Sequence, residues 1–144
     1  MKRNIQTEII IRSTPEKVYD ILTDLEGFAE WNPFIIHSEG TVREGARIFN
    51  TLLNGNKPIK FKPRVLKAER GVAFEWLGHL RFKGIFDGHH YFHIENLGDG
   101  TVKLTHGENF SGLFSALILR QIGKGTMENF IAMNRALKQK CEGN

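Results

Sequence analysis

Three ionisable residues fall where the surrounding pattern calls for apolar ones. Between Gly84 and Glu95, Phe86, Gly88, His90, Phe92 and Ile94 share one side of an extended chain. Ile85, Asp87, His89, Tyr91, His93 and Glu95 share the other. Between Thr101 and Phe110 the more apolar side carries Val102, Leu104, His106, Glu108 and Phe110. Leu97-Gly98-Asp99-Gly100 reads as the turn joining the two runs. Matching inward faces then sets His90 opposite either His106 or Glu108. Ionisable groups on an inner apolar face are costly unless paired, hydrated or used. A self-contained hydrogen-bond network is one reading. Polar anchors for a ligand are a second. Acid–base catalysis is a third: Glu108 or His106 abstracts a proton beside a carbonyl and His90 donates one. A carboxyl whose pKa is raised by burial suits such work. A metal held by His90, His106 and Glu108 is a further use, but no metal or other cofactor is expected. His89, His90 and His93 do not share a face, and residues four apart on a strand lie ~13 Å apart.

These side chains need a sheet to carry them and something apolar to face. Asn4 to Arg12 alternates, with Ile5, Thr7, Ile9 and Ile11 on one side, and reads as a half-buried strand. Ser13-Thr14-Pro15-Glu16 starts a helix, with Thr14 as cap and Pro15 in the first position. Val18, Ile21, Leu22 and Leu25 continue it, and Gly27 ends it. Phe28 to Trp31 is a turn halted by Asn32-Pro33. Six strand-like runs follow: Phe34–Ser38, Ala46–Leu53, Ile59–Ala68, Val72–Leu80, Gly84–Glu95 and Thr101–Phe110. Asn54-Gly55-Asn56 marks a tight hairpin. From Leu113 to Lys138, apolar residues recur at helical spacing, among them Phe114, Leu117, Ile118, Ile122, Phe130 and Leu137. Gly123-Lys124-Gly125 interrupts that face and is expected to kink the helix. A helix of this length must lay its apolar face on something large. The expected fold is therefore α+β: a seven-stranded antiparallel sheet closing around one long C-terminal helix.

Composition narrows the class. A chain of 144 residues fits a single unit, 1–144, with one core. With 40% hydrophobic and 25% charged residues, disorder is excluded. The formal charge of +4 invites a nucleic-acid reading through Lys57, Lys60, Lys62, Arg64 and Lys67. Alternation puts Lys60, Lys62 and Arg64 on one face, opposite Phe61, Pro63 and Val65, so a solvated outer face is expected and no nucleic-acid partner. Cys141 is the one cysteine and falls in a polar tail. It forms no internal disulfide, which favours a reducing compartment. With neither a signal-peptide pattern nor a membrane-length apolar run, a cytoplasmic location is expected.

Several of these stretches together resemble a known family. They are Thr14-Pro15-Glu16-Lys17-Val18-Tyr19-Asp20-Ile21-Leu22, Phe28 through Phe34, Phe86-Asp87-Gly88-His89-His90-Tyr91-Phe92, Thr105-His106-Gly107-Glu108-Asn109-Phe110-Ser111-Gly112, and Met127 through Lys138. The chain resembles the SRPBCC superfamily, also called START-like or Bet v 1-like, and within it the polyketide cyclase/dehydrase and lipid-transport group. The resemblance implies a helix-grip fold with two short helices after the first strand and an apolar cavity between sheet and long helix. It implies a small hydrophobic ligand such as a lipid, sterol, quinone or polyketide. The residues expected to line the site are Trp31, Phe34, Trp76, Phe86, His90, Phe92, His106, Glu108, Phe114 and Phe130. Two other roles occur among relatives: a cyclase or dehydratase working through His90, His106 and Glu108, and a protein-partner module of the Hsp90-activator kind. Oligomeric state is left open.

Overall fold

Alternating sequence becomes two antiparallel sheets. The computed structural model describes residues 3–79 and 83–143. The larger sheet holds β1 (Asn4–Ile11), β5 (Arg64–Glu69), β6 (Ala73–His79), β7 (Asp87–Asn96) and β8 (Val102–Ser111), in the order β1-β8-β7-β6-β5. The smaller holds β2 (Ile35–Gly40), β3 (Ile48–Asn54) and β4 (Lys57–Phe61) in sequence order. Among the described residues three α-helices complete the fold, α1 (Pro15–Thr23), the single turn α2 (Phe28–Trp31) and the long α3 (Ser115–Glu142), with a 3-10 turn at Leu25–Gly27 between the first two.

Among the described residues the strands number eight where seven are expected, and Pro63 is the reason. The run expected as one strand, Ile59–Ala68, divides at Lys62-Pro63 into β4 and β5. Proline has no N–H to give to a ladder, so pairing breaks there. The chain changes sheets at the break. Its backbone stays tied across the corner by Ile48 N–H to Pro63 O at 3.0 Å and Val65 N–H to Ala46 O at 2.9 Å. Side-chain alternation survives the corner, with Lys60, Lys62 and Arg64 exposed and Pro63 and Val65 buried. Leu80, the expected end of the strand before β7, lies outside the described residues.

Local chemistry sets the early helices. The Thr14 side chain accepts from Lys17 N–H at 3.2 Å, and Pro15 occupies the first turn. Asn32 ends α2, and its side-chain oxygen accepts from Phe34 and Ile35 N–H, both at 2.9 Å. That turn delivers Phe34 to the interior.

The long helix divides by what it touches. Phe130, Met133, Asn134, Leu137 and Cys141 are buried at steps of three and four, so the second half packs on β1 and α1. In the first half only Ser115 is buried, while Ile118, Leu119 and Ile122 are half-buried. The helix runs without a break through Gly123 and Gly125. A Cβ added at either glycine meets nothing within 4 Å, so close packing does not demand them. Cys141 is not in a solvated tail: it is buried at the end of α3, and burial raises its thiol pKa to about 11. Among the described residues no helix is long and apolar enough to cross a membrane.

Candidate functional site

The space left under the first half of α3 is a cavity of ≈ 240 Å³. Both sheets and the helix line it. The small sheet and its hairpin give Ile35, Leu52, Leu53, Asn54, Ile59 and Phe61. The large sheet and its loops give Trp76, Gly78, His79, Phe86, Gly88, His90, Glu108 and Phe110. The helix gives Ile118, Ile122, Thr126 and Asn129. Phe34 closes the remaining side. Lining residues pass from buried Trp76 and Phe34 through half-buried Leu53, Ile59, Ile122 and Thr126 to exposed Asn54. The cavity thus reaches solvent between the β3–β4 hairpin and α3. Asn129 bridges that gap once, donating to Leu53 O at 3.2 Å.

The polar end of the cavity is built by strand register. His90 pairs with Glu108 across β7 and β8, and Phe92 with His106. Glu108 Oε1 lies 3.1 Å from His90 Nδ1. His90 Nε2 lies 2.7 Å from His106 Nε2. His106 Nδ1 lies 2.8 Å from Asn134 Oδ1 on α3. Asn134 Nδ2 donates to Thr7 Oγ1 at 2.8 Å, and that hydroxyl donates to His106 O at 2.9 Å. Aromatic rings clamp this line of groups. Trp76 stacks on His90 at 4.6 Å between ring centres, and Phe130 stacks on His106 at 4.3 Å. The groups follow one another in a row and do not converge on a point as metal ligands must. Gly88 makes room for the chain's open end, because a Cβ there would overlap the Glu108 carboxyl.

Burial dominates the electrostatics. It raises the Glu108 pKa to about 8, against a small opposing pull from His89. It lowers His90 to about 3, helped by His89. His106 is held well below 6.5 by burial and then by His90, while its bond to Asn134 acts the other way. At neutral pH both imidazoles are uncharged and the carboxyl keeps its proton.

The residues named from sequence separate into layers. Phe34, Trp76, Phe86, His90 and Glu108 line the cavity. His106, Phe92 and Phe130 are fully buried behind that surface, where they hold His90. Trp31 is half-buried and packs edge-on against Phe28 at 5.4 Å. Phe114 is 46% exposed ahead of α3. Sequence reasoning missed Leu52, Leu53, Ile59 and Phe61 of the small sheet, although Phe61 already stood on the apolar side of its run. It also missed Thr7 and Asn134. Asn134 sits between Phe130 and Leu137 on the helix's buried stripe, the same polar-among-apolar signal that singled out the histidines.

Known proteins give the same architecture. The family model for polyketide cyclase/dehydrase and lipid transport matches residues 2–142. No curated protein matches the sequence. Among solved structures, a START superfamily protein from Mycobacterium smegmatis is 15% identical, covers 97% of each chain and superposes with a TM-score of 0.76. The ZhuI aromatase/cyclase from Streptomyces sp. R1128 is 14% identical over 99% of this chain and 94% of its own, with a TM-score of 0.77. A norcoclaurine synthase point mutant from Thalictrum flavum, in complex with a transition-state analogue, is 10% identical over 98% of this chain and 94% of its own, at a TM-score of 0.73. At such identities the likeness is one of fold.

Proposed function

The chain belongs to the polyketide cyclase/dehydrase and lipid-transport family of START-like, Bet v 1-like proteins, and on that premise we propose that it binds a small hydrophobic molecule beneath the first half of α3. The supporting observation is the ≈ 240 Å³ cavity, walled by aromatic and aliphatic side chains with the Glu108 carboxyl at one end. Apolar walls supply the driving force through burial, and a few polar groups, His90 and Glu108 among them, supply orientation. A dye that brightens in apolar surroundings, such as Nile red, should bind at one site per chain. Fatty acids, sterols or polycyclic aromatics should displace it. A dye that stays dark, or that no hydrophobic compound displaces, refutes the reading.

A second reading is acid–base chemistry on the bound molecule. What favours it is a carboxyl that keeps its proton at neutral pH beside the cavity, 3.1 Å from an imidazole. A cyclase or dehydratase needs a carboxyl–imidazole pair of this kind beside the bound molecule, able to exchange a proton with it as an oxygen leaves or enolises. Here Glu108→Gln should abolish turnover of any substrate found while leaving that substrate bound. Turnover at the wild-type rate in that variant removes Glu108 from the chemistry.

A further inference from the structure

The chain of hydrogen bonds running from Thr7 to Glu108 has a direction, and the direction can be worked out from its buried end. The Thr7 hydroxyl has one hydrogen, which it gives to His106 O. Toward Asn134 it can only accept, so the Asn134 amide turns its NH₂ to Thr7 and its oxygen to His106. An amide oxygen only accepts, and His106 therefore carries its proton on Nδ1. In a neutral imidazole the other nitrogen is then bare, so His106 Nε2 accepts from His90 Nε2–H at 2.7 Å. The same rule leaves His90 Nδ1 bare, and it accepts from the Glu108 carboxyl through Oε1 at 3.1 Å. Glu108 Oε2 remains as a carbonyl-type oxygen beside Gly88, on the cavity wall, with no hydrogen-bond partner among the described residues.

We propose that Asn134 acts as a positioning residue that fixes this order of protons, and that the cavity consequently selects an uncharged hydrophobic molecule whose hydroxyl donates to Glu108 Oε2. The inference rests on the reading that the cavity binds a hydrophobic molecule and adds the chemical class of its polar group. The opposite order needs the Asn134 amide turned over and the Thr7 bond to His106 O given up. It would leave Glu108 Oε1 accepting from His90 Nδ1–H and the acid's own proton on Oε2, facing the cavity; ionising the carboxyl instead would set a charge on an apolar wall, where it is disfavoured. A cavity facing that O–H would select hydrogen-bond acceptors such as ethers and carbonyls, and would not prefer a hydroxyl donor. Because the chain terminates at an amide, which takes no proton, it orients Glu108 and does not conduct protons away from it.

Three probes of one shape separate the outcomes: naphthol, its methyl ether and naphthoate, titrated into the wild-type chain near neutral pH. Naphthol should bind roughly tenfold more tightly than either of the others, the effect of one hydrogen bond to an otherwise unpaired acceptor. Glu108→Leu should erase the preference for naphthol over its ether. Glu108→Gln should keep it, because the amide can donate to His90 and offer its oxygen to the cavity. Carbon and nitrogen NMR of labelled histidine should find the proton of His106 on Nδ1 and that of His90 on Nε2. In Asn134→Leu that assignment should be lost, a change that loss of packing alone does not produce. Equal binding of naphthol and its ether overturns the inference while the cavity reading stands. Binding of none of the three overturns both. A wild-type His90 protonated on Nδ1 overturns the proposed order, whatever the charge on Glu108 and whatever the ligand.

Discussion

The Glu108 carboxyl keeps its proton up to about pH 8 in the folded chain, against 4.5 for an ordinary glutamate. Between those values the folded state holds a proton that the unfolded state has released, so this residue makes stability fall as pH rises. His90 and His106 act in the other sense. Their folded pKa values lie below 6.5, so stability falls as pH drops beneath 6.5 and the unfolded chain gains two protons that the folded chain refuses. The two imidazoles outweigh the one carboxyl below that point. The wild-type chain should therefore be most stable near pH 6.5, with urea midpoints falling on both sides. Glu108→Gln should flatten the alkaline side, and its advantage over wild type should widen from pH 4.5 to about 8. A pH profile for the variant that parallels wild type would show that Glu108 ionises normally. Gly88→Ala should destabilise by about 1–3 kcal/mol, because its methyl group must displace the carboxyl from His90. The urea midpoint measures the loss, and the His90 ring resonances should move with it. At this scale parity and the hairpin turn narrowed the partner of His90 to His106 or Glu108, and the register of the structure chose Glu108. Their connection to Thr7 and Asn134 was not, since a sequence does not say which turn of a distant helix lies over which strand.

The long helix behaves as two elements joined end to end. Its second half is held by Phe130, Met133, Leu137 and Cys141, all buried, while its first half spans a cavity. Backbone amides from Leu117 to Thr126 should exchange with solvent faster than those from Phe130 to Leu137, because fewer apolar contacts hold them. A bound ligand should slow the first set selectively. Uniform protection along α3 would contradict this division. Gly123→Ala and Gly125→Ala should each stabilise the chain by about 1 kcal/mol, because the helix is regular there and the new methyl meets no neighbour. Thermal unfolding measures the gain. The helix was legible from its spacing of apolar residues. The helix continues unbroken across Gly123 and Gly125, and the open space beside both shows that packing does not require glycine there.

For the molecule as a whole, the sequence carried the layer arrangement and the order of elements but not the division into two sheets. The alternation of Lys60, Lys62 and Arg64 with Phe61, Pro63 and Val65 continues unbroken through the corner, because inside and outside stay the same while the pairing partner changes. Period-two patterns report burial, not neighbours. Only Pro63 signals the change, through the donor it lacks. The cavity belongs to this scale too: it exists because three separately packed parts meet there. Truncating Phe130 to Ala should cost about 3–5 kcal/mol, since that ring fills the junction between His90, His106 and Phe34. Calorimetric melting would register it, and a loss below 1 kcal/mol would mean that the junction is loosely filled. Finally, Cys141 gives the fold an internal alarm. A lone thiol sealed at the tip of the closing helix stays silent toward thiol-specific dyes until that tip lifts. The speed at which such a dye colours the native protein therefore clocks how often the last turn peels away, with no residue changed.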